Sequence, residues 1–308
     1  MLGYLKSQAA LALPLRHERI TSWENPIGKA AWQLAQVCQS LPARPISLWD
    51  SEYGCAPFVL QTADIAADKL MRLRSNLCFW TSPPGYCGKG RPRVHGDKFK
   101  LIDSSTWSQP EADVEVNDPE LGQLRIRLWR GLHFRQAPKH SLLLVRVERL
   151  ELRPSGKMPK PLWLAWLGEQ MPSVDEVWRL YLRRFGIDHW YRFAKQRLHW
   201  TLPKLSTPSQ CERWSDLMPL LSWELWLARD IVTDKPLPWQ KSQLKLTPGR
   251  VIQSLGGVLA VIGTPASAPK TRGKSPGWPT GQPRLRRTRY PIVKKGGLKL
   301  KKTFKKSP

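Results

Sequence analysis

The sequence predicts an α/β fold: a strand–helix layer, then a mainly antiparallel β insertion, then helices. Three observations carry this. Strand-like and helix-like segments alternate over residues 8–80, which implies a layered sheet with some strands parallel. Over residues 81–172 apolar and polar positions alternate as they do in hairpins. Between Pro172 and residue 264 the apolar residues return to helical spacing.

In chain order, residues 9–20 read as a strand, with Pro14 putting it at an edge or interrupting it. A helix follows over 25–40, with Asn25 as N-cap and Pro26 at its first position. Residues 45–50 form a short apolar strand that ends on an acid, Asp50. A helix over 58–71 and a strand over 73–80 complete the layer. A Pro- and Gly-rich stretch over 83–96 opens the insertion. Val114 and Val116, a turn at Asn117-Asp118-Pro119, and then Leu124, Ile126 and Leu128 alternate as a hairpin. Further strands are expected at 142–147 and 162–167, and helices at 173–200, 209–231 and 248–262. From residue 265 the chain is rich in Pro, Gly, Lys and Arg. Residues 270–308 contain no acid, and such a segment buries too little apolar surface to fold alone. Four parts result: 1–80, 81–172, 173–264 and the basic tail 265–308.

The 308 residues carry 50 Lys and Arg against 24 acids, a net charge of +26. That is not the balance of an ordinary small-metabolite enzyme. A polyanion is the natural partner, and nucleic acid is the commonest one. The longest apolar run, near Val258 to Ile262, is far too short to span a bilayer. The N-terminus lacks the sustained apolar core of a signal peptide. A cytoplasmic, nucleoid-associated location without membrane partners is therefore expected. Five cysteines without a Cys-x2-Cys pair fit no common zinc site, so reduced, buried thiols are expected. Most of the 16 tryptophans are expected in cores, with a minority free to stack on bases.

The chemistry concentrates on one expected helix. Tyr181, Arg184, Asp188 and Lys195 are spaced Tyr-x2-Arg-x3-Asp-x6-Lys. At ~100° per residue they fall within an arc of roughly 60°. Leu182, Ile187, Trp190, Phe193 and Ala194 spread over the opposite side. Taken alone, Arg184 and Asp188 would be an ordinary i,i+4 pair on a solvated helix. Asp50 changes the weighing, because it ends the strand in Ile46-Ser47-Leu48-Trp49-Asp50-Ser51-Glu52-Tyr53-Gly54.

Together these motifs resemble the insertion-sequence transposases of the DDE class. The likeness is to the fourth insertion-sequence family, whose third acid lies in a Tyr-x2-Arg-x3-Glu-x6-Lys signature. Asp50 and Tyr53 match that family's Asp-x-x-Tyr motif around the second acid. The resemblance runs from about residue 8 to the tail, through Arg91-Pro92-Arg93-Val94-His95-Gly96-Asp97-Lys98-Phe99-Lys100 and Arg287-Thr288-Arg289-Tyr290-Pro291. One departure is Asp188, where the family signature has Glu, which shortens the arm by one methylene.

The resemblance implies a ribonuclease-H-like domain interrupted by the β insertion. It also implies transposition chemistry on DNA: DNA binding, phosphodiester cleavage and strand transfer. Two hard cations, Mg2+ or Mn2+, would clamp the attacking and leaving oxygens. Asp50 and Asp188 would hold them, while Tyr181, Arg184 and Lys195 would steady nearby phosphates. The family also has a first Asp on the opening strand. Only Glu18 and Glu24 precede Asp50 here, so that strand and acid are expected to be missing. The sheet edge beside the Asp50 strand should then be open, and the chain inactive alone. Its alternative role is a non-catalytic DNA-binding regulator, acting as a homodimer or with a full-length transposase. Arg91 and Arg93 are expected to touch DNA from a loop. In hairpin-forming relatives a Trp of the insertion stacks on a flipped base; Trp107 is the candidate here, with packing as its other role.

Overall fold

The computed structural model describes residues 12–88, 90–152, 156, 158–263, 277 and 280–283. The expectations for residues 9–11, Lys89 and most of the basic tail lie outside those residues.

The first helix, α1, spans Pro26–Ser40 and begins as its sequence requires. The Asn25 side chain accepts the Gly28 N–H at 2.6 Å, and Pro26 takes the first position, where no N–H is needed. After it come β1 (Ile46–Trp49), α2 (Ala56–Gln61) and β2 (Asp68–Arg72). β1 and β2 pair in parallel, Trp49 opposite Met71. Then follow β3 (Cys78–Trp80), β4 (Lys98–Lys100), β5 (Ala112–Asp118), β6 (Gly122–Leu132), β7 (Leu142–Arg149) and β8 (Leu162–Leu167).

One six-stranded sheet, in the order β1-β2-β8-β7-β6-β5, forms the centre. Only the β1–β2 pair is parallel; β8, β7, β6 and β5 continue antiparallel from β2. The expected insertion therefore does not stand apart. β2 is buried at four of its five positions, so it needs a neighbour on each side, and β8 supplies the second. β1 is an edge strand, and no described strand pairs with its outer side.

Both sheet faces are covered. On one, α1, α2 and the β3–β4 hairpin pack Ala30, Phe58, Val59, Phe79 and Phe99 against Met71, Trp129, Leu144 and Trp163. On the other, α3 (Val174–Leu182) lays Val177, Trp178 and Tyr181 against Leu70, Ile126, Val145 and Trp166. α4 (Phe185–Gln196), α5 (Pro208–Leu227) and α6 (Pro248–Ile262) form smaller cores beside the sheet. α5 starts on a reciprocal cap between Thr207 and Gln210. No described helix is long and apolar enough to cross a membrane.

Four expectations need correction. Residues 12–20 form no strand. Pro14 has no N–H for a ladder, and its carbonyl accepts the Trp223 indole N–H at 2.8 Å. The segment lies extended across α5, tied by Arg19–Glu212 at 3.0 Å and His17–Asp216 at 3.2 Å. The helix expected over 58–71 stops at Gln61, and its last part is strand β2. There the buried Lys69 ammonium donates to the Thr62 and Ile65 carbonyls at 2.6 and 3.2 Å, ending the helix instead of extending it. The strand expected over 73–80 shrinks to β3, which leaves the main sheet to pair with β4. The five cysteines are free as expected, but none is buried.

Candidate functional site

Asp50 follows β1 directly and is set by a tight turn. Its Oδ1 accepts the Glu52 N–H at 2.9 Å, and its carbonyl accepts the Tyr53 N–H at 3.2 Å. Gly54 closes the turn against the end of β2, where a Cβ would lie 2.2 Å from the Arg72 carbonyl oxygen. The aromatic side of the turn is braced by Trp49, Tyr53 and Phe58, with ring centres 4.5–5.3 Å apart.

The signature row does not lie on one helix. The chain breaks between α3 and α4, after Leu182. Arg183 and Arg184 keep helical backbone angles, but the bonds tighten: Arg184 N–H to Tyr181 O at 3.0 Å and Gly186 N–H to Arg183 O at 2.9 Å. The single 60° arc expected for four residues is thereby lost. Tyr181 is 1% exposed inside the sheet–α3 core. Arg184 sits at the junction and pairs with Asp188 at 3.0 Å, its guanidinium also 4.6 Å from the Phe185 ring centre. Asp188 and Lys195 are exposed on α4, where Trp190 and Ala194 face inward. Ile187, expected on the apolar side, is exposed.

Electrostatics ties this row to Asp50. Burial raises the Tyr181 phenol; Arg184 and Arg72 pull it down, and Asp50 pushes it up. The Tyr181 hydroxyl and the Arg184 Nε are both buried without a well-formed hydrogen bond, so the guanidinium acts on the phenol chiefly through its charge. Burial also raises Tyr53, with further pushes from Asp50, Glu52 and Tyr191. Tyr191 is raised by burial and then by Asp188. Asp50 thus acts on the phenols of Tyr181 and Tyr53, and Asp188 on that of Tyr191. On the α4 side lies a groove of about 440 Å3 lined by Asp188, Tyr191, Arg192, Lys195 and Gln196.

The other expected contacts lie elsewhere. Arg91 and Arg93 are exposed on the loop between β3 and β4. The base of that loop is held by a 3.0 Å contact between His95 Nδ1 and His133 Nε2. Trp107 packs beside the sheet, its indole N–H donating to the Lys100 carbonyl at 2.7 Å. Its ring meets Phe99, Trp129 and Trp163, with the Arg127 and Arg146 guanidiniums 5.3 and 4.9 Å from its centre. Glu148 bridges those two arginines. The half-buried ring is thus surrounded by protein groups.

Asp50 and Asp188 supply hard oxygen donors of the kind Mg2+ or Mn2+ takes. One Asp50 oxygen is used by the turn and one Asp188 oxygen by Arg184. Among the described residues no three His, Cys, Asp or Glu side chains gather into a cation site.

Two residues at this place escaped the sequence reading. Arg72 is one step beyond the Trp49–Met71 register pair, level with Asp50; it was hidden because β2 read as the end of a helix. Tyr191 lies three residues after Asp188 and four before Lys195, a spacing that places all three on one helix face. The chain matches no protein-family model, and no curated protein matches it.

Proposed function

We propose that this chain binds DNA as a protein of the DDE transposase type, with Asp50 and Asp188 as the second and third acids of that site. The observation supporting this reading is geometric: Asp50 ends β1 level with Arg72 of β2, whose charge reaches the Tyr181 phenol beside the Arg184–Asp188 pair. The net charge of +26 supplies the affinity for a polyanion. In this reading Lys195 contacts phosphate in the α4 groove, Arg184 orients Asp188, and Tyr181 braces the junction from within the core. The ribonuclease-H-like identity of the sheet belongs to the same proposal; its parallel β1–β2 pair agrees with it.

A second reading follows from the charge of +26 alone: a non-catalytic DNA-binding regulator, or an inhibitor of a full-length transposase. Two measurements on the full chain separate them. The first is a salt titration of binding to unrelated duplexes, repeated without residues 270–308. That tail holds 14 cations. With about half engaged, deleting it flattens the slope of log affinity against log salt by ~6. The second is nicking of supercoiled plasmid in Mg2+ or Mn2+. Nicking that Asp188→Asn abolishes establishes the catalytic reading, and binding without nicking the regulator. Failure to bind any DNA overturns both.

A further inference from the structure

α5 buries one face and holds a strap with another, and a third stays open. Met218, Ser222 and Leu225 turn inward and are buried. Glu212, Asp216 and Trp223 lie along one flank, where they tie down the extended segment 12–20. The remaining face carries Arg213, Leu217, Leu220, Glu224 and Leu227, all exposed. At ~100° per residue these five fall within an arc of roughly 80°. Leu217, Leu220 and Leu227 are 42%, 53% and 65% exposed, which makes the face an apolar stripe along most of the helix. Neither Arg213 nor Glu224 forms an ion pair with another described residue.

The order along the stripe is Arg-x3-Leu-x2-Leu-x3-Glu, from Arg213 to Glu224. Its spacing reads the same in both directions, and its two ends carry opposite charges. Such a stripe complements itself when a second helix runs antiparallel to it. Leu217 then lies beside the partner's Leu220, Leu220 beside the partner's Leu217, and an Arg213–Glu224 pair forms at each end. Interfaces about a two-fold axis have this reciprocity, residue i meeting j and j meeting i. A parallel pair would instead set Arg213 against Arg213 and Glu224 against Glu224. The stripe has no net charge in a chain of +26, so it does not suit a polyanion. We propose that α5 pairs antiparallel with α5 of a second copy of this chain, about a two-fold axis passing beside Met218 and Pro219. One helix pair buries less than the about 800 Å2 per partner of a standard interface, so the dimer is weak. The charge of +26 on each copy opposes it further until salt screens the repulsion. The inference stands on α5 alone and does not depend on the DNA-binding reading.

The test is sedimentation velocity of the full chain, free of nucleic acid, in about 0.5 M salt to shorten the range of the repulsion. Over about 1–100 μM, the range of a weak complex, the wild type should pass from monomer to dimer. Arg213→Glu or Glu224→Arg alone should weaken self-association about tenfold or more, because each sets like charges together at both ends of the stripe. An equimolar mixture of these two variants should pair as well as the wild type, and the double variant Arg213→Glu/Glu224→Arg should do the same. Leu217→Gln combined with Leu220→Gln should give a monomer with an unchanged midpoint in urea, since both leucines are exposed. A wild type that stays monomeric over the whole range would overturn the proposal. So would self-association indifferent to the charge reversals, or single variants that fail to pair when mixed. Affinity for DNA is measured apart from this, so the dimer and the DNA-binding reading stand or fall separately.

Discussion

Tyr181 and Asp188 lie seven residues apart in one motif but in two physical environments. Tyr181, on α3, is 1% exposed and packs against the sheet. Asp188, on α4, has a side chain 53% exposed and borders the groove. The tight turn at Arg183–Arg184 separates them. The motif is linear, but tertiary packing separates its ends: one is anchored in the core and the other is exposed beside the groove. Arg184, with a side chain 16% exposed, is the hinge of that division.

The largest effect that can break the comparison is on stability. Tyr181→Ala should destabilise the fold by about 3–5 kcal/mol, the usual cost of emptying an aromatic site, read as a lower midpoint in urea. Tyr181→Phe should cost little, since the hydroxyl has no well-formed hydrogen bond to lose. If Tyr181→Ala were as mild as a surface change, the anchoring role would be wrong. A smaller effect belongs to the other side of the site. Gly54→Ala forces a Cβ against the Arg72 backbone oxygen and should cost about 1–3 kcal/mol through displacement of the turn. A neutral Gly54→Ala would mean that the Asp50 turn is not pinned to β2.

Burial raises the phenols of Tyr53, Tyr181 and Tyr191. The unfolded chain therefore releases these protons first as pH rises. The stabilisation from the neutral phenols is complete below the unfolded pKa, about 10, and is lost as pH climbs through the higher folded values. Lysine titration acts over the same range, so the comparison is between variants. Tyr181→Phe should make the alkaline loss of stability shallower than in the wild type. Identical alkaline profiles would show that the Tyr181 phenol has ordinary surroundings.

The sequence carried some of this site and hid the rest, for identifiable reasons. α1 was legible because Asn25 and Pro26 announce its start, and β6 because Leu124, Ile126 and Leu128 alternate. β2 was hidden: its continuous burial reads equally as the end of a helix, and only pairing on both sides makes it a strand. The break after Leu182 was invisible because Arg183 and Arg184 are good helix formers with helical angles; the turn comes from docking α3 on the sheet. Asp50 was legible as a strand-terminal acid. Its neighbour Arg72 was not, since its place beside Asp50 depends on the β1–β2 register. The segment 12–20 misled because it lies extended, but against α5 rather than beside a strand.

The smallest expected stability effect is also the sharpest for function. Asp188→Ala removes an i,i+4 pair with Arg184 whose acid is more than half solvated. Such pairs contribute about 0.3–0.5 kcal/mol, so the midpoint in urea should barely move. The same substitution leaves Arg184 without its ion-pair partner and removes one anion from the lining of the groove. If the groove binds DNA phosphate without metal, Asp188→Ala should tighten DNA binding slightly, by the removal of like-charge repulsion. If divalent cations occupy the site, the wild type should instead bind more tightly when Mn2+ is added, and Asp188→Ala should lose that gain. A stability loss of several kcal/mol would overturn the division of labour, because Asp188 would then be a structural acid like the buried Asp118, whose Oδ2 pairs with Arg179 at 3.1 Å.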